Sequence, residues 1–152
     1  MATAENIWLQ KEITLKQRQR GSHLVTNDVV SAVKGELAQI RVGVFHLFIK
    51  HTSASLTISE NADPDVLLDM ETHLNRIVPD VGDPNCPTIR HTEEGPDDMA
   101  SHVKSALTST SLSIPISNGR LSLGTWQGIW LLEHRFCGGP RRLVATINGA
   151  KA

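Results

Sequence analysis

The sequence predicts an α+β fold of antiparallel or mixed β-sheets packed with a few short helices. Three observations predict it. Segments with period-two alternation outnumber those with helical spacing, an Asn118-Gly119 pair joins two alternating runs, and residues 40–49 are apolar on both faces. At 152 residues the chain has the size of one domain, so residues 1–152 are read as a single unit that can bury a core without disulfides.

The elements follow in order. Ile7, Leu9, Ile13 and Leu15 alternate with polar neighbours over residues 6–16, a half-buried strand with one slip of phase. Residues 28–33 read as a short helix, capped by Thr26 or Asn27 and broken near Gly35. Residues 40–49 come next, and two apolar faces predict a central strand covered on both sides, with His46 as a core or interface histidine. Residues 53–59 set Ala54, Leu56 and Ile58 on one face and a ladder of hydroxyls on the other.

Asp63-Pro64 announces a helix with an acidic cap and a proline at its first position; it exposes Asp69, His73 and Asn75 and stops at Pro79. Residues 79–98 form a long loop rich in proline and glycine, and Asp97 or Asp98 can cap the helix of residues 99–107. Residues 111–116 and 120–126 pair about the Asn-Gly turn, and the second strand continues through residues 126–133. Gly124 and Gly128 mark bulges or a close backbone approach, and residues 143–147 make the last strand.

Composition excludes some functions. Fifteen basic against sixteen acidic residues give a net charge of −1, which supplies no field to hold a nucleic-acid backbone. No apolar run reaches the roughly 20 residues that cross a bilayer. Residues 1–7 lack the basic and apolar segments of a secretory signal, and Cys86 and Cys137 lack Cys-x-x-Cys spacing, so a cytoplasmic location is expected. Neither a Gly-x-Ser-x-Gly elbow nor a Walker loop is present, which argues against a serine hydrolase and a P-loop enzyme.

Polar islands at residues 51–61, 90–98, 101–102 and 124–133 carry the candidate chemistry. The hydroxyl ladder, with His51 at one end and Asn61 at the other, reads as the floor of a pocket walled by residues 91–102 and 126–133. His51, His91 and His102 with a carboxylate suit Zn²⁺ or another transition metal, although no His-Glu-x-x-His spacing is present. The same groups suit proton transfer, with His51 and His102 as acid and base and Asp98 and Glu133 orienting them. Arg135, Arg141 and Arg142, with Thr52, Ser53 and the helix start at Asp98, can hold a diphosphate while the acids recruit Mg²⁺. On the alternative reading these arginines are surface charges and Asp98 is only a helix cap.

His51-Thr-Ser-Ala-Ser-Leu-Thr57, Glu60-Asn61-Ala-Asp-Pro-Asp65, Glu94-Gly-Pro-Asp-Asp98-Met99, Ser101-His102, and Gly124-Thr-Trp126-Gln127 with Glu133-His-Arg135 resemble, in the same order, the motifs of the YjbQ-like family. The resemblance spans nearly the whole chain. It implies a YjbQ-like fold assembled as a homotrimer, with pockets near subunit boundaries. It also implies a weak, secondary thiamine-phosphate synthase activity, a transferase reaction on a small-molecule phosphate ester. The alternatives are a small-molecule or metal-binding trimer without significant turnover and a hydrolase with a metal-bound water. Carried over residue by residue, the resemblance assigns His51, His91, His102, Asp98 and Glu133 to catalysis or metal binding, and Ser53, Asn61, Trp126 and Gln127 to the pocket. The chain departs from the family pattern at Ile89, where many members have a tyrosine, at a longer loop before His91, and at Leu132, where some have a cysteine.

Overall fold

The computed structural model describes residues 5–152, so the reading of Met1–Ala4 lies outside the described residues. Eight strands and four helices run in the order β1 (Asn6–Leu15), β2 (Gly21–Leu24), α1 (Thr26–Ala32), α2 (Lys34–Leu37), β3 (Ile40–Ile49), β4 (Ala54–Glu60), α3 (Pro64–Ile77), α4 (Asp98–Leu107), β5 (Ser111–Ser117), β6 (Arg120–Leu121), β7 (Gln127–Glu133) and β8 (Arg141–Lys151). A five-stranded sheet has the order β1-β8-β3-β5-β6 and a three-stranded sheet the order β2-β7-β4. Every pairing between these strands is antiparallel. None of the described helices is long and apolar enough to cross a membrane.

Period-two alternation builds the core. Phe45, Leu47 and Ile49 of β3, Leu143, Ala145 and Ile147 of β8, and Ile114 and Ile116 of β5 point one way, against Ala54 and Leu56 of β4 and Ile129 and Leu131 of β7. Val25, Val29, Val33 and Leu37 close one side of this layer from the α1–α2 segment. Removing one such side chain, as in Leu56→Ala, costs about 2–5 kcal/mol.

Local signals formed where the chemistry is local. The Asp63 carboxylate accepts from the Asp65 amide at 2.9 Å and Pro64 opens α3. Asn118 and Gly119 take φ values of 50° and 76°, the positive pair a two-residue hairpin requires. Gly128 is a point of close approach, since a Cβ there would lie 2.9 Å from Leu24 and 3.1 Å from Asn61.

Other expectations are corrected by long-range packing. Residues 21–24 form the strand β2 by pairing with β7, and Thr26 does not cap α1: its hydroxyl accepts from the Ile129 amide at 2.9 Å and ties the helix to β7. The strand after the hairpin stops at Leu121, and β7 pairs in the other sheet. The last strand runs on to Lys151, because β1 and β3 flank it along its length. β3 is central by pairing, but only one face is covered. Val42, Val44 and Phe48 are exposed on the other.

The three-stranded sheet lies between the core and the helices, with α3 against β2 and α4 against β4. Its hydroxyl face is therefore partly roofed over, most completely at Ser55. Ser55 is fully buried, 2.8 Å from Nε2 of His134 and 2.6 Å from the Thr108 hydroxyl. Lys104, also fully buried, donates to the Asn75 amide oxygen at 2.6 Å, and Arg20 donates to the same oxygen. Asn75, half-buried, thus takes part in a polar network with Lys104 and Arg20 instead of standing free on a solvated helix face.

Candidate functional site

Three side chains meet at the start of α4. The long loop delivers His91, the first helical position delivers Asp98, and one turn later the helix delivers His102. Nε2 of His91 lies 2.6 Å from Oδ2 of Asp98, and Nε2 of His102 lies 3.1 Å from the same oxygen. The ligand-capable atoms of all three lie within 4.8 Å of one another. Asp98 is buried, so its side chain does more than end a helix; no capping hydrogen bond is made at this terminus.

The surroundings orient the trio. Nδ1 of His102 donates to the Thr52 carbonyl at 2.9 Å, so Nε2 donates to Asp98 when the ring is charged and turns its lone pair toward Asp98 and His91 when the ring is neutral. Arg135 binds the other carboxylate oxygen, Oδ1 of Asp98, and also reaches Asp97 and the Glu94 carbonyl. Burial pushes the Asp98 carboxyl up, but the His91 hydrogen bond and the His102 and Arg135 charges outweigh it and hold Asp98 below the ordinary carboxylate range. A cavity of about 430 Å³ opens beside the cluster, lined by His51, Thr52, His102, Ser105, Ala106 and Thr110.

His51 lines that cavity but does not join the cluster. The Arg142 amide donates to its Nε2 at 2.7 Å, and its Nδ1 faces the Arg141 guanidinium at 3.4 Å. Burial, then the positive charges of Arg141 and Arg142, lower its pKa. The expected set of three histidines therefore does not close around one point: His91 and His102 converge, and His51 has no lone pair free for them.

Glu133 is likewise committed elsewhere. It is fully buried and accepts from Arg141 through both oxygens, at 2.7 and 2.6 Å. Ser53 accepts from the same arginine at 3.1 Å. With Arg141 on Glu133 and Arg135 on Asp97 and Asp98, neither guanidinium is free to clamp a diphosphate. Arg141 was legible in the sequence as the position in phase with Leu143, Ala145 and Ile147.

Asn61, Trp126 and Gln127 gather at the far end of β7. Gln127 and Glu133 bound that strand, six residues apart and so roughly 20 Å. The Asn61 amide donates to the Thr125 and Gln127 carbonyls at 3.1 and 3.0 Å, and the Gln127 side chain accepts from the Gly124 amide at 2.8 Å. These bonds fasten the turn into β7, and Trp126 stands exposed on it. Within one chain, the candidate pocket residues fall into two groups at opposite ends of one sheet.

Comparison with known proteins places this geometry in a lineage. A family model described as "UPF0047 protein YjbQ-like" matches residues 11–150. The chain is similar to the UPF0047 protein YjbQ of Salmonella typhimurium, 48% identical over 143 residues, covering 94% of this chain and 99% of the relative. A solved Clostridium acetobutylicum structure of the YjbQ/UPF0047 family superposes with a TM-score of 0.71 at 37% identity, covering 90% of this chain and 97% of that one. A YbjQ-like Sulfolobus solfataricus structure gives a TM-score of 0.80 at 19% identity, covering 95% and 99%, a likeness of fold alone.

These findings correct the expected activity. The family description and the relatives' names state no reaction, and the Sulfolobus structure is titled as a protein of unknown function. Nothing in them indicates thiamine-phosphate synthesis or any other transferase reaction.

Proposed function

The chain belongs to the UPF0047 YjbQ-like family, and from the geometry of its site we propose that it binds a divalent metal ion through His91, Asp98 and His102. The observation that carries this reading is the convergence of two imidazole Nε2 atoms on one carboxylate oxygen, with the His102 tautomer set by the Thr52 carbonyl. Two nitrogens and one oxygen favour Zn²⁺ and its neighbours over Mg²⁺, which prefers an all-oxygen shell. Three protein ligands leave coordination positions open, and a bound ion would supply a Lewis acid there. The adjoining cavity gives a small molecule room beside His102.

The test is direct. Chelator-treated protein is titrated calorimetrically with Zn²⁺, Co²⁺, Mn²⁺ and Mg²⁺, beside a variant lacking all three ligands. Uptake of one Zn²⁺ per chain by the parent alone supports the reading; equal uptake by both proteins sinks it.

A second reading concerns assembly. We propose that copies of the chain associate as a homotrimer through the uncovered face of the five-stranded sheet. Cross-strand rows on that face run Trp8, Asn148, Val44, Pro115 and Glu12, Val144, Phe48, Ser111. Trp8, Val44 and Phe48 are 71%, 49% and 42% exposed, and Glu12 is the one charged residue in the two rows. Between the two rows lie Gln10, Thr146, His46 and Ser113, polar but without a formal carboxylate, lysine or arginine charge. A charge-poor face carrying large exposed apolar side chains suits an interface. We also place the chain in the cytoplasm, a reading supported by its two free cysteines.

A further inference from the structure

We propose that Arg135 sets the metal preference of the His91–Asp98–His102 centre by restricting Asp98 to one ligand oxygen; the inference rests on the metal-binding reading above. The two oxygens of Asp98 have different partners. Both histidine Nε2 atoms aim at Oδ2, whereas Nη1 of Arg135 binds Oδ1.

The guanidinium is anchored on every arm. Its Nε donates to Oδ2 of Asp97 at 3.1 Å and its Nη2 donates to the Glu94 carbonyl at 2.9 Å. Gly95 follows that carbonyl at a φ of 112°, a left-handed conformation that favours glycine. Asp97 in turn accepts from the Phe136 amide at 2.9 Å, which closes the ring of bonds around the arginine. Arg135 therefore sits in a fixed fork, and rotating Asp98 to present both oxygens to an ion would break the Nη1 bond.

The consequence is a coordination number. An ion at this point receives two imidazole nitrogens and one carboxylate oxygen, which suits four-coordinate Zn²⁺ or Co²⁺ with one position left open. Mn²⁺, Mg²⁺ and Ca²⁺ want more oxygens than that shell provides. Freeing Oδ1 would let Asp98 chelate through both oxygens, raise the coordination number and narrow the advantage of zinc. Lysine cannot replace the fork, because it offers a point charge in place of planar, divergent donors.

The experiment uses the full chain and Co²⁺ as a spectroscopic probe. In the parent, Co²⁺ should give the intense visible bands of a four-coordinate ion. In Arg135→Gln those bands should weaken toward five- or six-coordinate values, and the ratio of Zn²⁺ to Mn²⁺ affinity should fall roughly 10–100-fold, as for loss of other outer-shell partners. Arg135→Lys should move both readouts the same way by less, and it decides by the same criteria if the glutamine variant does not fold. Asp97→Asn weakens the fork's other arm while leaving Asp98 held, so it should keep the parent spectrum. Parent-like spectra and affinity ratios in both Arg135 variants would overturn the inference and leave the metal site standing. Failure of the parent to take up Co²⁺ would overturn both.

Discussion

His102 stands one helical turn beyond Asp98, with Nε2 3.1 Å from the Asp98 carboxylate and Nδ1 bound to the Thr52 carbonyl of another segment. The ring is thereby held at both nitrogens, one toward the cluster and one toward the strand β4 side. His102→Gln removes the cluster nitrogen, so Zn²⁺ affinity should fall by more than the roughly 10–100-fold typical of outer-shell losses. Folding stability should fall by about 1–3 kcal/mol, the range for losing hydrogen bonds of this kind, one of them to a carboxylate. Calorimetric titration and urea unfolding measure the two effects, and unchanged affinity would remove His102 from the site.

Glu133 should behave as a structural residue. Truncating it to alanine leaves the Arg141 guanidinium, whose side chain is 4% exposed, buried without its partner, at a cost of about 3–5 kcal/mol. Zinc stoichiometry should persist in the folded fraction. Removing Arg141 as well should cost less than the sum of the single changes, a double-mutant cycle readable by urea denaturation.

Acid should destabilise the fold through His134. Burial, with Lys104, Arg20 and Arg141 nearby, pushes this histidine down to about 3. Its folded pKa is below the unfolded value of about 6.5, so the unfolded chain binds the proton first and stability falls as pH drops below about 6.5. Roughly 2 kcal/mol should be lost between pH 6.5 and 5. His134→Gln should flatten that slope in unfolding free energies measured over this range; an unchanged slope would assign the titration elsewhere.

Gly149 should resist substitution. It pairs with Gly43 across β8 and β3, and a Cβ at Gly149 would lie 2.9 Å from the Ile40 side chain and closer still to the Val42 carbonyl and the Gly43 Cα. Backbone atoms cannot swing aside as a flexible side chain can. Gly149→Ala should cost about 1–3 kcal/mol or more, seen as a lowered denaturation midpoint.

Val44→Lys with Phe48→Lys should dissociate the proposed trimer. Both side chains project from the uncovered face of β3, where lysine is compatible with a solvated strand but not with an apolar interface. Analytical ultracentrifugation should show trimers for the parent and monomers for the variant at equal concentration. A monomeric parent would dismiss the trimer.

The sequence by itself determined the features whose partners lie within a few residues. Asn118-Gly119 makes its turn because both positions need positive φ, and Asp63 caps its helix because the amide it binds is two residues away. Asp98 and His102 share a helix face by their spacing of four, so that half of the site was legible. The tertiary structure decided which long side chain takes which partner. Nothing local says that Arg141 belongs to Glu133, that Arg135 belongs to Asp98, or that His51 is engaged by the Arg142 amide across 91 residues. Those pairings follow from strand register and from β7 switching sheets after the hairpin, a choice set by burial on both faces of β7. Alternation along β3 marked two apolar faces, but alternation reports hydrophobicity and not cover. Only the packing of the second sheet on one side of β3 showed which face the single chain leaves open.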